Sequence, residues 1–463
     1  MSFFIRNNKP PRKFKKEEKT KRTSSEIKKA KRKYEETLGE KEKFSIDDSE
    51  DEEVETATSS DEDLAETAQE KKLRLAKKYL EEIERQEQER AESKEVDQAV
   101  IEGRLKHDLL EQSGRLHKTV ADKYIGYDAD NITTLKSRFQ KRPITCLAVS
   151  SDNKFIYSAS KDCTIVKWCP LEKKPLKYTP NPSKCSKEMK EKCHQHIILS
   201  IALSTDGKFL ASGDEGKLIL IWNAETLQHL NTFKGHKDHV TGLAFRKDTH
   251  QLFSASSDRS VKLWCLDEMA CIETLFGHQS GITAIDALAR ERAVTSGGRD
   301  NSLRVWKIVE ESQLVFNGHQ GSIDCVKLLN EQNFISGGDD GTLSLWSAMK
   351  KKPICSVMNA HDKDQTTNEP NWIISVASYL NTDLAASGSM NGQIMLWKIG
   401  QGCRTLVSLF HIPMSGYINA LAFTSDGKHL IAAIGQEHRL GRWSRDPSSK
   451  NSVLIIPLQI KTS

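Results

Sequence analysis

Seven of the eight tryptophans in this chain of 463 residues occupy one position of a recurring pattern. Trp168, Trp222, Trp264, Trp306, Trp346, Trp397 and Trp443 are separated by 54, 42, 42, 40, 51 and 46 residues. An alternating apolar strand precedes each of them, as in Ser260–Trp264 and Ser302–Trp306. Before that comes a small-residue strand that ends in a tight turn, as in Phe253–Asp258, Ala293–Gly298 and Phe334–Asp339. Asp162, Asp258, Asp300 and Asp340 each stand six residues before their Trp, with Asn391 in the same place. The pairs Gly235-His236, Gly277-His278 and Gly318-His319 lie about 22 residues ahead of the turn Asp, and Ala360-His361 is a degenerate fourth. Self-similarity at this period means repeated supersecondary units, each burying its faces against its neighbours.

These residues resemble the WD-repeat β-propellers, in which each repeat supplies four short antiparallel strands, or one blade. The resemblance implies an all-β, seven-bladed propeller. It also implies a hydrogen-bonded chain inside each blade, made of the Gly-His histidine, a strand Ser or Thr, the turn Asp and the Trp. His236, Ser256, Asp258 and Trp264 would form one such set; His278, Thr295 or Ser296, Asp300 and Trp306 another. A buried indole N–H and imidazole need partners, so these residues read as structural. A catalytic His–Asp–Ser reading fails because the constellation recurs in several repeats. The chain departs from the family pattern in places. The Asp that normally follows the Trp is replaced in all seven repeats by Cys169, Asn223, Cys265, Lys307, Ser347, Lys398 and Ser444. The first and last repeats lack Gly-His. Either Val453–Gln459 or a segment near Thr119–Leu135 could supply the outer strand that closes the last blade.

The first ~140 residues are a different polymer. Every Trp and 22 of the 26 Gly lie beyond them. Residues 1–44 hold 16 Lys/Arg against 7 Asp/Glu, and residues 45–70 hold 12 acids and no base. Residues 141–463 carry 38 Lys/Arg and 31 Asp/Glu. Residues 1–65 are expected to form a disordered basic, then acidic, tail, because same-sign charge and few apolar residues cannot bury a core. Lys28, Lys29, Lys31, Arg32 and Lys33 read as a nuclear localisation signal for an import receptor. Ser49 and Ser60 each precede an acidic run and suit acidophilic kinases. Over 66–114, Leu73, Ala76, Leu80 and Ile83, then Val96, Val100, Leu105 and Leu109, predict a long helical segment that serves as a docking helix or a solvated spacer. Residues 115–463 are expected to be the propeller.

No apolar run reaches the ~18–20 residues of a membrane helix. The N-terminus lacks an apolar signal core and the ten cysteines show no close pair, so an intracellular protein with reduced thiols is expected. No phosphate-binding loop, nucleophile elbow, zinc-protease helix or dinucleotide fingerprint is present, so no enzyme, cofactor or small-molecule substrate is expected. Leu171–Cys193 and Asp362–Asn371 are insertions between repeats. Cys185 and Cys193 fall in the first of these and His194 and His196 follow it directly, but their spacing matches no common zinc site, and His194 or His196 better fills the missing Gly-His corner. Loops on one propeller face carry Lys141, Arg142, Lys161, Lys217, Lys237, Arg259, Arg299 and Arg439, a candidate RNA-binding set.

The order of parts is informative: basic tail, acidic patch, the segment Glu66–Leu80, Gly103–Lys106 with Leu110–Leu116, then the propeller. It resembles the family of 55-kDa proteins of the U3 small nucleolar ribonucleoprotein. That resemblance implies binding to U3 snoRNA at its box B/C region beside the kink-turn-binding protein and other box C/D snoRNP and processome proteins. It further implies residence in the nucleus and nucleolus and support of pre-rRNA processing for the small ribosomal subunit. The alternative is a nuclear protein–protein scaffold of a chromatin or ubiquitin-ligase complex.

Overall fold

The computed structural model describes residues 74, 77–83, 85, 98–112, 116–182, 192–364 and 368–461. The import-signal lysines, Ser49, Ser60, Cys185 and the tail expected to be disordered lie outside them. Contacts divide the chain at Arg85 into two units. In the first, residues 77–83 are helical. The second opens with the helix Gln98–Gln112. Between 66 and 114 the described residues thus carry two helical stretches, and the single long helix expected there is not supported.

The rest of the second unit consists of seven antiparallel sheets. The first six blades have sequential strands running from the centre outward. Blade one, for example, is Ile144–Val149, Ile156–Ser160, Ile165–Cys169 and Lys174–Tyr178. Blades two to six begin at the inner strands Ile198–Leu203, Val240–Phe245, Ile282–Ala287, Ile323–Leu328 and Ile373–Ser378. The seventh combines both ends of the domain. Its three inner strands are Tyr417–Phe423, His429–Gly435 and Ser452–Ile460, and Tyr124–Tyr127 and Thr133–Leu135 pair onto the last of these as its outer edge. Of the two closures left open by the sequence, the N-terminal one is used. It is pinned from below: the Asp383 carboxylate accepts the amides of Val120 and Ala121 at 2.7 and 2.9 Å, and the Tyr124 hydroxyl donates to the Gly427 carbonyl at 3.0 Å.

The core lies between blades. Alternate residues of a strand point to opposite faces, so Ile165 packs toward blade two with Ile198 and Trp222, while Val166 and Trp168 pack toward blade seven with Ile431 and Val453. At the centre, each inner strand is irregular near its start, for example between Ile144 and Cys146 in blade one and between Ile418 and Ala420 in blade seven. In five blades a polar side chain at or next to that point crosses to the next blade. Thr145, Thr241, Thr283 and Ser375 donate to the carbonyls of Ile198, Ile282, Ile323 and Ile418 at 2.5–2.8 Å, and the Asn419 amide donates to the Ile144 carbonyl at 2.8 Å. This last bond joins blade seven back to blade one.

Candidate nucleic-acid interface

Inside the blades the repeated polar residues form relays. The Trp264 indole N–H donates to Ser254 Oγ at 2.8 Å, Ser254 lies 2.7 Å from His236 Nε2, and His236 Nδ1 lies 3.0 Å from Asp258. With the indole N–H donating into Ser254, its hydroxyl hydrogen is available to His236 Nε2, and the Nδ1–H points at the carboxylate. The same chain runs through Trp222, Ser212, His194 and Asp214; Trp306, Thr295, His278 and Asp300; and Trp346, Ser336, His319 and Asp340. The serine of the third blade is therefore Ser254, not Ser256. Only the former faces the indole; Ser256 Oγ donates to the Asp238 carbonyl instead. His194 fills the corner left open in the second repeat. In blade one Gln140 replaces histidine, its carbonyl oxygen accepting from Ser158 Oγ at 2.9 Å. In blade six His361 keeps the bond to Ser387 at 2.7 Å without an Asp partner.

Burial would raise the carboxyl pKa of Asp258, Asp300 and Asp340. The bonds from the paired His and from Ser260, Ser302 and Thr342 outweigh it and hold all three below the usual range, Asp300 at about 2. Burial also pushes the unpaired His361 down, to about 4.

Trp443 is the exception. It stands on the loop between His429–Gly435 and Ser452–Ile460, 65% exposed, and takes no part in a relay. In blade seven the strand registers put Ile456 opposite Leu430, as Trp264 stands opposite Leu252 in blade three. Ala432 then takes the place of the relay serine. An apolar pair, both fully buried, replaces the hydrogen-bonded one.

The candidate RNA-binding residues separate into two groups. Lys141, Arg142, Lys217, Lys237, Arg259 and Arg299 are exposed, all on loops of one face. Arg259 and Lys217 have φ of 70° and 72°, in turns where blades five and six place Gly341 and Gly392. A long cation at a left-handed position is conformationally unfavourable, so its presence there invites a functional reading. Lys237, Arg259 and Lys262 line one cleft of about 330 Å³ with Phe276, which is 71% exposed. Lys161 and Arg439 are not displayed. Lys161 is 7% exposed and donates to the Gly441 carbonyl at 3.1 Å beside Glu437 at 3.5 Å. Arg439 reaches across the channel mouth to the Asp324 carbonyl at 2.7 Å. Sequence position places a residue on the face but not its side chain; a neighbouring carboxylate, here Glu437, is invisible in a motif. Among the described residues no group of three His, Cys, Asp or Glu is arranged to hold a metal ion.

The model of the WD domain, G-beta repeat matches residues 130–169, 183–223, 227–265, 269–307 and 310–347. A mouse protein named U3 small nucleolar RNA-interacting protein 2 is 54% identical over 85% of this chain and 83% of its own. The chain belongs to that family. Its human member is 53% identical over 86% of this chain and 83% of its own. The solved structure of U3-55K is 51% identical with a TM-score of 0.69, covering 72% of this chain and all of its own. A yeast relative, ribosomal RNA-processing protein 9, is 27% identical over 75% of this chain and 77% of its own. The five matched repeats correspond to blades one to five. Blades six and seven, which lack the relay Asp or the relay altogether, are seen in the fold.

Proposed function

We propose that this chain is a non-catalytic component of the U3 small nucleolar ribonucleoprotein. In this reading it binds U3 snoRNA near box B/C with the kink-turn-binding protein and supports pre-rRNA processing for the small ribosomal subunit in the nucleolus. The carrying observation is the 54% identity, over most of both chains, to a protein named for its interaction with U3 small nucleolar RNA. The exposed cations of one face support it: Lys141, Arg142, Lys217, Lys237, Arg259 and Arg299 are available to phosphates. A propeller supplies a rigid face, and RNA is recognised largely through shape and exposed non-helical elements. The division of labour follows: the 1–65 tail, through Lys28–Lys33 and an import receptor, brings the protein to the nucleus, residues 66–114 dock partners, and the propeller selects the RNA. The test is crosslinking in cells followed by purification of the full-length tagged protein and sequencing of bound RNA. U3 should be enriched over other box C/D RNAs. Recovery of proteins without U3 would replace this reading with the protein-scaffold alternative.

A further inference from the structure

The repeat pattern claims Trp443 for a blade, yet the fold seats Ile456 there and leaves the indole outside. A tryptophan outside every blade core and 65% exposed suggests a binding role, because its large apolar face is costly to leave in water. Its six counterparts bond their N–H inside a blade; among the described residues that of Trp443 bonds nothing. The loop that carries it is nonetheless held at several points. The Asp446 amide donates to the Gln436 carbonyl at 2.9 Å, Glu437 pairs with Arg442 at 2.8 Å, and Lys161 and Arg439 tie the loop to blades one and five. It therefore crosses the central mouth on the basic face.

The indole is also backed. The ring of Trp372, on the loop entering blade six, lies 6.1 Å away at 72°, and that of His438 5.1 Å away. A Cβ at Gly441 would come within 2.8 Å of the indole, so glycine makes room for this seat. Burial, with Arg439 and Lys161 nearby, keeps His438 down at about 3, so it is a neutral ring at neutral pH. Around the aromatic group the exposed charge is positive on one side. The Arg142 and Arg442 side chains are 68% and 66% exposed and both act on Lys161, whose pKa is lowered chiefly by burial. Arg445 is exposed as well. Asp362 and Glu369, exposed on the Trp372 side, would steer phosphates toward these arginines.

We propose that Trp443, backed by Trp372 and His438, is a stacking platform for one unpaired base of a single-stranded RNA segment crossing the propeller mouth, with its phosphates held by Arg142 and Arg442. This rests on the RNA-binding reading and deepens it. Stacking serves any base, because each has a π-face, and requires that the base be out of a duplex. The flanking arginines favour RNA over a protein partner.

The test uses purified full-length protein and two labelled probes, a 12-nucleotide oligouridylate and a 12-base-pair RNA duplex, with binding read by anisotropy. Trp443→Ala should weaken oligouridylate binding about fivefold or more. It should change duplex binding less than twofold, leave the melting midpoint in place, and be rescued by Trp443→Phe. An equal loss on both probes, or none on oligouridylate, overturns the platform. If Lys237→Glu/Arg259→Glu still weakens RNA binding while Trp443→Ala does not, the platform alone falls. If neither does, the RNA-binding reading falls with it. Unchanged RNA binding with loss of a protein partner from the purified particle would assign the indole to a protein contact and overturn the proposal.

Discussion

Replacing Asp258 with Ala tests whether the relay carries stability. The carboxylate accepts from His236 Nδ1 at 3.0 Å, the Lys237 amide at 2.8 Å, the Ser260 amide at 2.9 Å and the Ser260 hydroxyl at 2.5 Å. The Lys237 amide can turn to water, since that residue is exposed, and the Ser260 hydroxyl can rotate. The His236 side chain is 0% exposed and Ser260 is 3% exposed, so the Ser260 amide is left without a partner and the ring N–H keeps only Ser260 Oγ, at 3.4 Å. Each unpaired buried donor costs about 1–3 kcal/mol, and the Asp258 side chain is itself 9% exposed, so some water reaches the vacated space. A loss of about 2–3 kcal/mol follows. At the roughly 2 °C per kcal/mol expected of a large domain, the melting midpoint should fall by about 4–6 °C. Glu268→Ala, an exposed position on the outer turn of the same blade, serves as the control and should move the midpoint by less than about 1 °C. Asp258→Asn keeps one acceptor oxygen and should fall between the two. If Asp258→Ala melts with the control, the relay does not support the blade.

Further outcomes follow from the same geometry. Stability should decline with acid in two stages. Neutral, buried His361 (about 4) and His438 (about 3) bind fewer protons than their unfolded forms, so stability present above about pH 6.5 is lost as pH falls toward 4. The depressed carboxyls of Asp258, Asp300 and Asp340 then lose theirs from about pH 4 downward, Asp300 by about pH 2; denaturant midpoints measured from pH 7.5 to 3 should show both, and a flat profile would contradict them. Trp264→Ala should cost about 3–5 kcal/mol, whereas Trp443→Ala should cost under about 0.5, a contrast that one pair of melts decides. Reversing Lys237, Arg259 and Arg299 to Glu should lower RNA affinity and flatten its salt dependence by about 0.7 in log–log slope per lost single-strand phosphate contact; an unchanged slope would remove these residues from the interface. Lys161 is left out of that set, because reversing it would break its pair with Glu437. Alanine at Lys28, Lys29, Lys31, Arg32 and Lys33 should leave the tagged protein in the cytoplasm, and full nuclear entry even with a second basic cluster upstream, Arg12, Lys13, Lys15 and Lys16, also replaced would end the import reading.

Six of the seven blade tryptophans were legible because each is fixed by a partner in the same blade at a short, constant separation. A Trp ten or eleven residues after its Ser or Thr in adjacent strands, as with Ser254 and Trp264 or Thr295 and Trp306, is set by local pairing and survives in sequence as a period. In the third blade side chains two apart on a strand share a face, and the ten-residue offset from Trp264 brings Ser254 rather than Ser256 to the indole. The inward placement of Lys161 and Arg439 is not legible in the sequence, for the opposite reason. Their partners, Glu437 and the Asp324 carbonyl, are 276 and 115 residues away, and no local pattern records them.

The seventh blade breaks the pattern for a reason built into closure. In the other blades the third strand is followed directly by a fourth from the same repeat, whereas Ser452–Ile460 ends the domain and takes its outer neighbours from Tyr124–Tyr127 and Thr133–Leu135. That pairing holds the strand in register with no help from a relay, and the apolar Ile456 and Ala432 bury without donors to satisfy. Where the relay is present, its Asp also closes the turn between the second and third strands, as Asp258 does by accepting the Ser260 amide. Without that Asp the turn is not constrained to be short, and the chain spends Gln436–Asn451 between the two strands, long enough to reach Asp324 in blade five and to set Trp443 beside Trp372. The loss of the repeat signature and the gain of an exposed aromatic loop are thus two consequences of one topological fact.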